Sequence, residues 1–147
     1  MLHVPHHVGA SSIAGVGLFA STPIARGALI YSCDPRTLRI LTEDELSTYP
    51  PAIRDSMLRY CYRGRGVQRL SGAYYFCIDD ARFFNHSDQP NCLWQPLQEH
   101  YVAARDIPAG TELTCDYLEF SEPEDVPYLL PACRHGSGGA AMQPQSR

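Results

Sequence analysis

The chain lacks lysine altogether, and all twelve of its basic residues are arginine. A GC-rich coding bias accounts for this more simply than function does. Also absent is any apolar run near the ~20 residues needed to cross a bilayer, which argues against a membrane-spanning helix. Residues 1–10 lack the basic and then apolar layout of a secretory signal. We therefore predict an intracellular protein with no membrane partner.

Metal-binding and disulfide signatures are missing as well. The six cysteines are widely spaced and include no Cys-x-x-Cys pair, which argues against a zinc knuckle. A chain of 147 residues can fold without disulfides, so we predict reduced thiols, several of them buried in strands. His3, His6 and His7 have no carboxylate or thiol close by in sequence to complete a ligand set. No metal site is predicted.

The composition is that of one soluble globular domain with a real core. Hydrophobic residues make up 44% and charged residues 19% of the chain, which is ordinary. The net charge of −4 is unevenly distributed. Residues 35–70 contain seven arginines and four acids, whereas residues 111–130 contain six acids and no base. We expect two faces of opposite sign.

Short alternating runs predict a mostly β fold. The strand-like runs are bounded by Gly, Pro and Ser and lie at 16–20, 60–63, 74–78, 92–97 and 100–104. Two further segments predict short helices: a capping box at 42–45, and a helix from Pro51 to about Arg59. The pattern of residues 19–30 recurs at 102–113. Two such strand-turn-strand units indicate small antiparallel sheets packed against one another.

The most distinctive stretch runs from residue 82 to residue 117. It contains Arg-Phe-Phe-Asn-His-Ser, then Pro-Asn-Cys, and ends with Gly-Thr-Glu-Leu-Thr-Cys-Asp-Tyr. Two strands joined by a tight turn at Gln98-Glu99 bring its ends together. Asn and His offer donors and acceptors on short side chains, and a Tyr after a strand can present its hydroxyl to a pocket. We predict a site for a small polar ligand.

These motifs resemble those of the SET-domain protein lysine methyltransferases. Four blocks occur in the family's order, which is a far more specific signal than one Gly-x-Gly. The resemblance implies a SET fold of several small antiparallel sheets with a knot-like C-terminal arrangement. It implies a SET domain at 5–120, a variable insert at 35–70 and a partly disordered tail at 121–147. The four blocks are 15–20, 24–27, 82–92 and 110–117.

The resemblance also implies a cofactor, S-adenosyl-L-methionine, and roles for particular residues. Tyr117 would be the catalytic tyrosine beside the transferring methyl. The substrate channel would include Tyr74, Trp94 and Cys115, although a core aromatic remains an equal alternative for Tyr74. The cofactor would contact Tyr117 and two further groups, Gly15, Val16 and Gly17 in one loop and Phe84, Asn85 and His86 in the other. On spacing alone, the glycine loop would be a plain tight turn.

The chain departs from the family pattern in two places. Cys33 stands where many members have a channel tyrosine. Many members also follow the Asp-Tyr with a cysteine cluster that binds zinc, and here only Cys133 is present. We therefore expect Phe120 or Tyr128 to close the site. The alternative to an enzyme is a catalytically idle SET module that binds a peptide or partner.

The expected substrate is a protein or peptide lysine, with no indication of nucleic acid. Four acids that follow Tyr117 suggest a rim that attracts basic substrates, or else a solvated tail. The number of methyl groups depends on channel width, on which the small Cys115 and the large Trp94 have opposite effects. We expect transfer to stop before trimethylation. The four acids are Glu119, Glu122, Glu124 and Asp125.

Overall fold

The computed structural model describes residues 1–129 of the chain. The predicted tail from residue 130 onward, which includes Cys133, lies outside these residues. Within residues 1–129 no helix is long and apolar enough to cross a membrane. The ten strands of this part are β1 (His6–Ala10), β2 (Val16–Ala20), β3 (Leu29–Ser32), β4 (Leu38–Leu41), β5 (Cys61–Tyr62), β6 (Tyr74–Cys77), β7 (Asn85–His86), β8 (Cys92–Gln95), β9 (His100–Ala103) and β10 (Thr114–Cys115).

The strands form four small sheets, which confirms the predicted mostly β class. Strands β1 and β2 form an antiparallel hairpin. Two three-stranded antiparallel sheets have the orders β3-β9-β8 and β4-β6-β5. The fourth sheet differs from the prediction, because β7 and β10 pair in parallel, Asn85 beside Thr114 and His86 beside Cys115. The C-terminal strand therefore lies directly against the Asn-His motif.

The two repeated units pair with each other rather than each forming its own hairpin. Ile24 and Ile107 exchange backbone hydrogen bonds of 2.8 Å in both directions. The N–H groups of Gly27 and Gly110 likewise each donate to the opposite unit, at 2.8 and 2.7 Å. Both glycines have φ of +80°, in the left-handed region that glycine adopts without strain. This pairing brings residue 20 next to residue 111 and closes the core.

The insert combines strands β4 and β5 with the helices α1 (Glu43–Ser47), α2 (Pro51–Leu58) and α3 (Val67–Leu70). Helices α1 and α2 were predicted, but the single turn of α3 was not, since four residues carry too little periodicity. Thr42 caps α1, accepting from the Glu45 N–H at 3.1 Å. The Glu45 carboxylate pairs with Arg39, so the capping box is only half formed.

The C-terminal segment holds the insert against the rest of the domain. Ser121 forms a bridge with Gly64 in the insert, only a few residues beyond β10. Leu18, Ile30 and Leu113 are fully buried in the core. The chain is thus packed so that β7, β10 and the insert meet at one place.

We predict that Gly110→Ala lowers the free energy of unfolding by about 1–2 kcal/mol, the cost of holding a non-glycine residue in a left-handed conformation. An added Cβ at Gly110 would meet no atom within 4 Å, so the cost is conformational and not steric. Chemical denaturation of wild type and variant measures it.

The matched control is Gly9→Ala in β1, where an added Cβ makes an ordinary 3.5 Å contact with Phe19. We expect this control to be neutral or slightly stabilising. Equal destabilisation by the two substitutions would contradict the explanation.

Candidate functional site

A cavity of about 470 Å³ lies where the insert, the β3-β9-β8 sheet and the C-terminal segment meet. Its inner wall is aromatic: Phe84 packs against Tyr31 and Tyr101, with ring centroids 6.5 and 6.0 Å apart. Tyr62 stacks on Tyr75 at 5.3 Å on the insert side. A ligand in this cavity would contact aromatic rings and a few hydroxyl groups.

Burial keeps the tyrosine hydroxyls and the Cys77 thiol of the cavity neutral. It raises the pKa of the hydroxyls of Tyr31, Tyr62 and Tyr101 well above the usual range, because an ion loses its hydration there. The pKa of the Cys77 thiol rises to about 11 for the same reason. Glu119, which accepts from the Tyr101 hydroxyl at 3.1 Å, also has a raised pKa through burial. The cavity therefore offers neutral hydroxyls rather than phenolates.

Tyr117 lies on the wall of this cavity and is held at both ends. Its hydroxyl donates to the Phe84 carbonyl at 2.6 Å. Its backbone N–H donates to His86 Nδ1 at 3.2 Å. His86 Nδ1 is thus the acceptor, and Nε2 carries the hydrogen that it donates to Asp88 at 3.2 Å. The tyrosine predicted to be catalytic is thus oriented by His86 of β7 and by Phe84, the residue before this strand.

Asn85 connects the Asn-His strand to the glycine loop. Its buried amide nitrogen donates to the carbonyls of Ala14 and Val16 at 3.2 and 3.1 Å. The same nitrogen lies 2.7 Å from Glu112 Oε1. The predicted cofactor residues of the two loops are therefore neighbours, although about 70 residues separate them in the sequence.

Glu112 is a site residue that the sequence analysis missed. Its carboxylate accepts from Asn85 and also from the hydroxyl of Ser11, at 2.8 and 2.9 Å. A Cβ added to Gly17 would lie 2.3 Å from Glu112 Oε1, so glycine is needed here for the close approach. Its place in the Gly-Thr-Glu-Leu block was the one sequence signal that could have identified it. The neighbouring residues do not indicate that its side chain faces the glycine loop.

Asn91 plays a comparable role one strand further on. Only 3% of its surface is exposed, and its amide nitrogen donates to the Glu112 carbonyl at 2.7 Å. Its Oδ1 accepts from the Thr114 N–H at 2.9 Å. The side chain thus pairs with the backbone on both sides of residue 113, as a neighbouring strand would. It fixes the segment that leads to Tyr117.

The three predicted channel residues all line the cavity. The Trp94 ring lies 4.9 Å from that of Tyr101, and Cys115 is fully buried. Tyr74 donates its hydroxyl to Glu43 in the insert at 3.0 Å and is half-buried. Its ring faces the cavity while its hydroxyl is bound elsewhere, so its role in a channel stays a prediction.

Phe120 lines the cavity on the C-terminal side. Its ring makes an edge contact with Tyr62 at 5.1 Å and packs against Tyr117 at 5.6 Å. Cys33, in place of the family's tyrosine, is exposed at the cavity rim. The side chain of Tyr128, the other residue expected to close the site, lies outside the described part of the chain.

The acids that follow Tyr117 are engaged within the chain. Glu122 lies 3.7 Å from Arg65, and Asp125 lies 2.8 Å from Arg69. Both arginines belong to the insert, so these ion pairs join insert to tail. Since Glu119 binds Tyr101, only Glu124 of the four acids has no bonded partner within residues 1–129.

The fold and this site define the class of SET-fold proteins. The SET domain profile matches residues 15–118, and the chain belongs to the SET domain family. The trithorax histone-lysine N-methyltransferase of Drosophila virilis is 30% identical over 135 residues, covering 80% of this chain and 3% of that protein. Histone-lysine N-methyltransferase 2B of Homo sapiens is 31% identical over 125 residues, covering 73% and 4%.

This chain therefore spans only a few per cent of the length of these curated relatives. Among solved structures, Polycomb Repressive Complex 2 of Chaetomium thermophilum, in an autoinhibited conformation bound to S-adenosylmethionine, is similar with a TM-score of 0.57. The match is 19% identical and covers 89% of this chain and 17% of that one. At this identity the similarity shows a shared fold and nothing further.

We predict that Glu112→Ala loosens the glycine loop and lowers the free energy of unfolding by about 1–3 kcal/mol, because the buried Asn85 and the hydroxyl of Ser11 lose a half-buried acceptor. Hydrogen exchange should accelerate at the amides of Ile13 and Ala14, which donate to Ser11 Oγ.

Glu124→Ala is the control, since it removes the same charge from an exposed position. Unchanged exchange in the loop of the Glu112 variant would show that the loop does not depend on this carboxylate.

Proposed function

We propose that this chain is an S-adenosylmethionine-dependent protein-lysine N-methyltransferase. One observation carries the proposal: the Tyr117 hydroxyl, fixed by the Phe84 carbonyl, lies on the wall of a tyrosine-lined cavity directly beside the Asn85–His86 strand. The names of its relatives support the same activity at a general level.

The cavity suits an amine that must lose its proton before it reacts. From a reference pKa of about 10.4, neutralising a lysine at pH 7 costs roughly 4–5 kcal/mol. Aromatic walls disfavour the ammonium form by desolvation. Hydroxyl groups such as that of Tyr101 stay protonated in this cavity because burial raises their pKa, and the Phe84 carbonyl adds an acceptor. These groups can orient the nitrogen without a general base.

The two loops joined by Asn85 fit the cofactor. Gly15 and Val16 are exposed, and the space where a Gly15 Cβ would lie is open, so a ligand can approach this backbone closely. The buried Asn85 donates to the carbonyls of Ala14 and Val16 in this loop, and the half-buried His86 follows it in β7. When bound, S-adenosylmethionine supplies the activated methyl group. The protein's task is then to hold the two reactants in line and to exclude water.

Two measurements test the proposal. Calorimetry should detect binding of S-adenosylmethionine by wild-type protein and weaker binding by the Asn85→Ala variant. The variant lacks the side-chain amide, whose hydrogen bonds are worth about 1–3 kcal/mol. Mass spectrometry of lysine peptides incubated with cofactor should detect added methyl groups. A folded chain that binds no cofactor would instead be an idle SET module.

We expect Tyr117→Phe to lower the rate of methyl transfer about 100-fold or more, as removal of a preorganised hydrogen-bonding group typically does. The ring keeps its packing on Phe120, so the free energy of unfolding should change by only about 1 kcal/mol. Single-turnover rates and thermal unfolding of the same preparation separate the two effects.

Tyr49→Phe serves as the control, because Tyr49 lies in the insert and does not line the cavity. Undiminished transfer by the Tyr117 variant would remove this hydroxyl from the reaction.

The number of methyl groups added should depend on Trp94. We expect wild-type product to stop before trimethyllysine, because the Trp94 ring narrows the cavity against Tyr101. Trp94→Ala should raise the trimethylated fraction in mass spectra. Leu93→Ala, its exposed neighbour in β8, should leave the distribution unchanged. Mostly trimethylated wild-type product would contradict this expectation.

A further inference from the structure

The arginines of the insert differ in whether a carboxylate neutralises them. Five of the seven lie within 4.0 Å of a carboxylate, namely Arg36, Arg39, Arg54, Arg65 and Arg69. Arg59 and Arg63 pair with no carboxylate in residues 1–129. Residues 130–147 contain no aspartate or glutamate. These two cations therefore lack an acidic side chain from their own chain.

The two unpaired arginines are also the two insert arginines that line the cavity. Arg59 follows α2 and is exposed. Arg63 follows β5, and its guanidinium carbon lies 5.1 Å above the Tyr74 ring. Its Nε is buried with no hydrogen-bond partner in the described part of the chain. A buried donor without an acceptor is unfavourable, so this group is suited to an acceptor from a bound partner.

The two acids that line the same cavity, Glu99 and Asp125, form no ion pair with Arg59 or Arg63. Asp125 pairs with Arg69, on the tail side. Glu99 comes from the turn between β8 and β9, where its backbone carbonyl accepts from the Cys33 N–H at 2.9 Å. Arg59 and Arg63 are thus the cations of this wall that no acid of residues 1–129 pairs with, whereas two of the four acids in the rim expected from the sequence are paired with arginines.

We propose that the lysine accepted by this site is flanked by an aspartate or glutamate, whose carboxylate binds Arg59 and Arg63. Arginine binds carboxylates through charge-assisted hydrogen bonds, and the exposed Arg59 with the half-buried Arg63 would repel flanking lysines and arginines. This inference rests on the proposed methyltransferase function and specifies its substrate class. The expected substrate thus changes from a basic peptide to one with an acidic residue beside the lysine.

The test uses a set of seven-residue peptides with one central lysine and aspartate at each other position in turn. Each has an asparagine counterpart and an arginine counterpart. At low salt we expect at least one aspartate peptide to have kcat/KM about threefold to tenfold above its asparagine counterpart, with the arginine peptide below both. Added salt should reduce the difference.

Variants of Arg59 connect the preference to this wall. Arg59→Gln should lower the preference for aspartate, and Arg59→Glu should reverse it in favour of arginine peptides. Arg26→Gln is the matched control, because Arg26 is exposed, forms no ion pair within residues 1–129 and does not line the cavity. A preference that survives in the double variant Arg59→Gln, Arg63→Gln would overturn the assignment, as would equal or faster turnover of arginine peptides by wild type.

Peptide binding, measured by fluorescence anisotropy with S-adenosylhomocysteine present, separates this inference from the proposed function. Tighter binding of aspartate peptides without methyl transfer would support the acidic site and contradict the enzyme. Methyl transfer without any charge preference would contradict the acidic site alone. Absence of both binding and transfer would contradict both.

Discussion

Two buried asparagine side chains hold the site together, because each must find hydrogen-bond partners that only the folded chain supplies. Asn85 reaches the glycine loop and Glu112, while Asn91 pairs with the backbone on both sides of residue 113. Each links segments that are distant in sequence. Displacing either would leave buried polar groups unpaired, so the glycine loop, β7 and the approach to Tyr117 are expected to form together or not at all.

The sequence predicted the fold class and most of its elements because the relevant signals are local. Helix α1 begins at a recognisable cap, and β8 and β9 meet at a turn where Glu99 has φ of +50°. It could not predict the cross-pairing of the two repeated units or the parallel pairing of β7 with β10. These depend on contacts across many tens of residues, and a short strand's own sequence does not specify its partner.

The pairing of charges, like the pairing of strands, depends on contacts between segments that are distant in sequence. The sequence indicated a basic insert and an acidic C-terminal segment, and these do meet, as Arg65 with Glu122 and Arg69 with Asp125. These ion pairs change the expected substrate charge, because acids that the sequence suggested would attract a basic substrate pair with arginines of the same chain. The ion pairs also join the insert to the C-terminal segment beside the cavity.

Arg59 and Arg63 beside the proposed lysine channel would repel the ammonium form of a substrate lysine. The reacting species, however, is the neutral amine, and nearby positive charge lowers the pKa of an amine just as desolvation does. Two arginines and one bound carboxylate leave a net charge of +1, so Arg59 and Arg63 would still assist deprotonation once the lysine is in place. A flanking carboxylate would offset the repulsion during encounter by binding the same arginines. The charge that disfavours a basic peptide outside the cavity thus favours the reactive form of lysine within it.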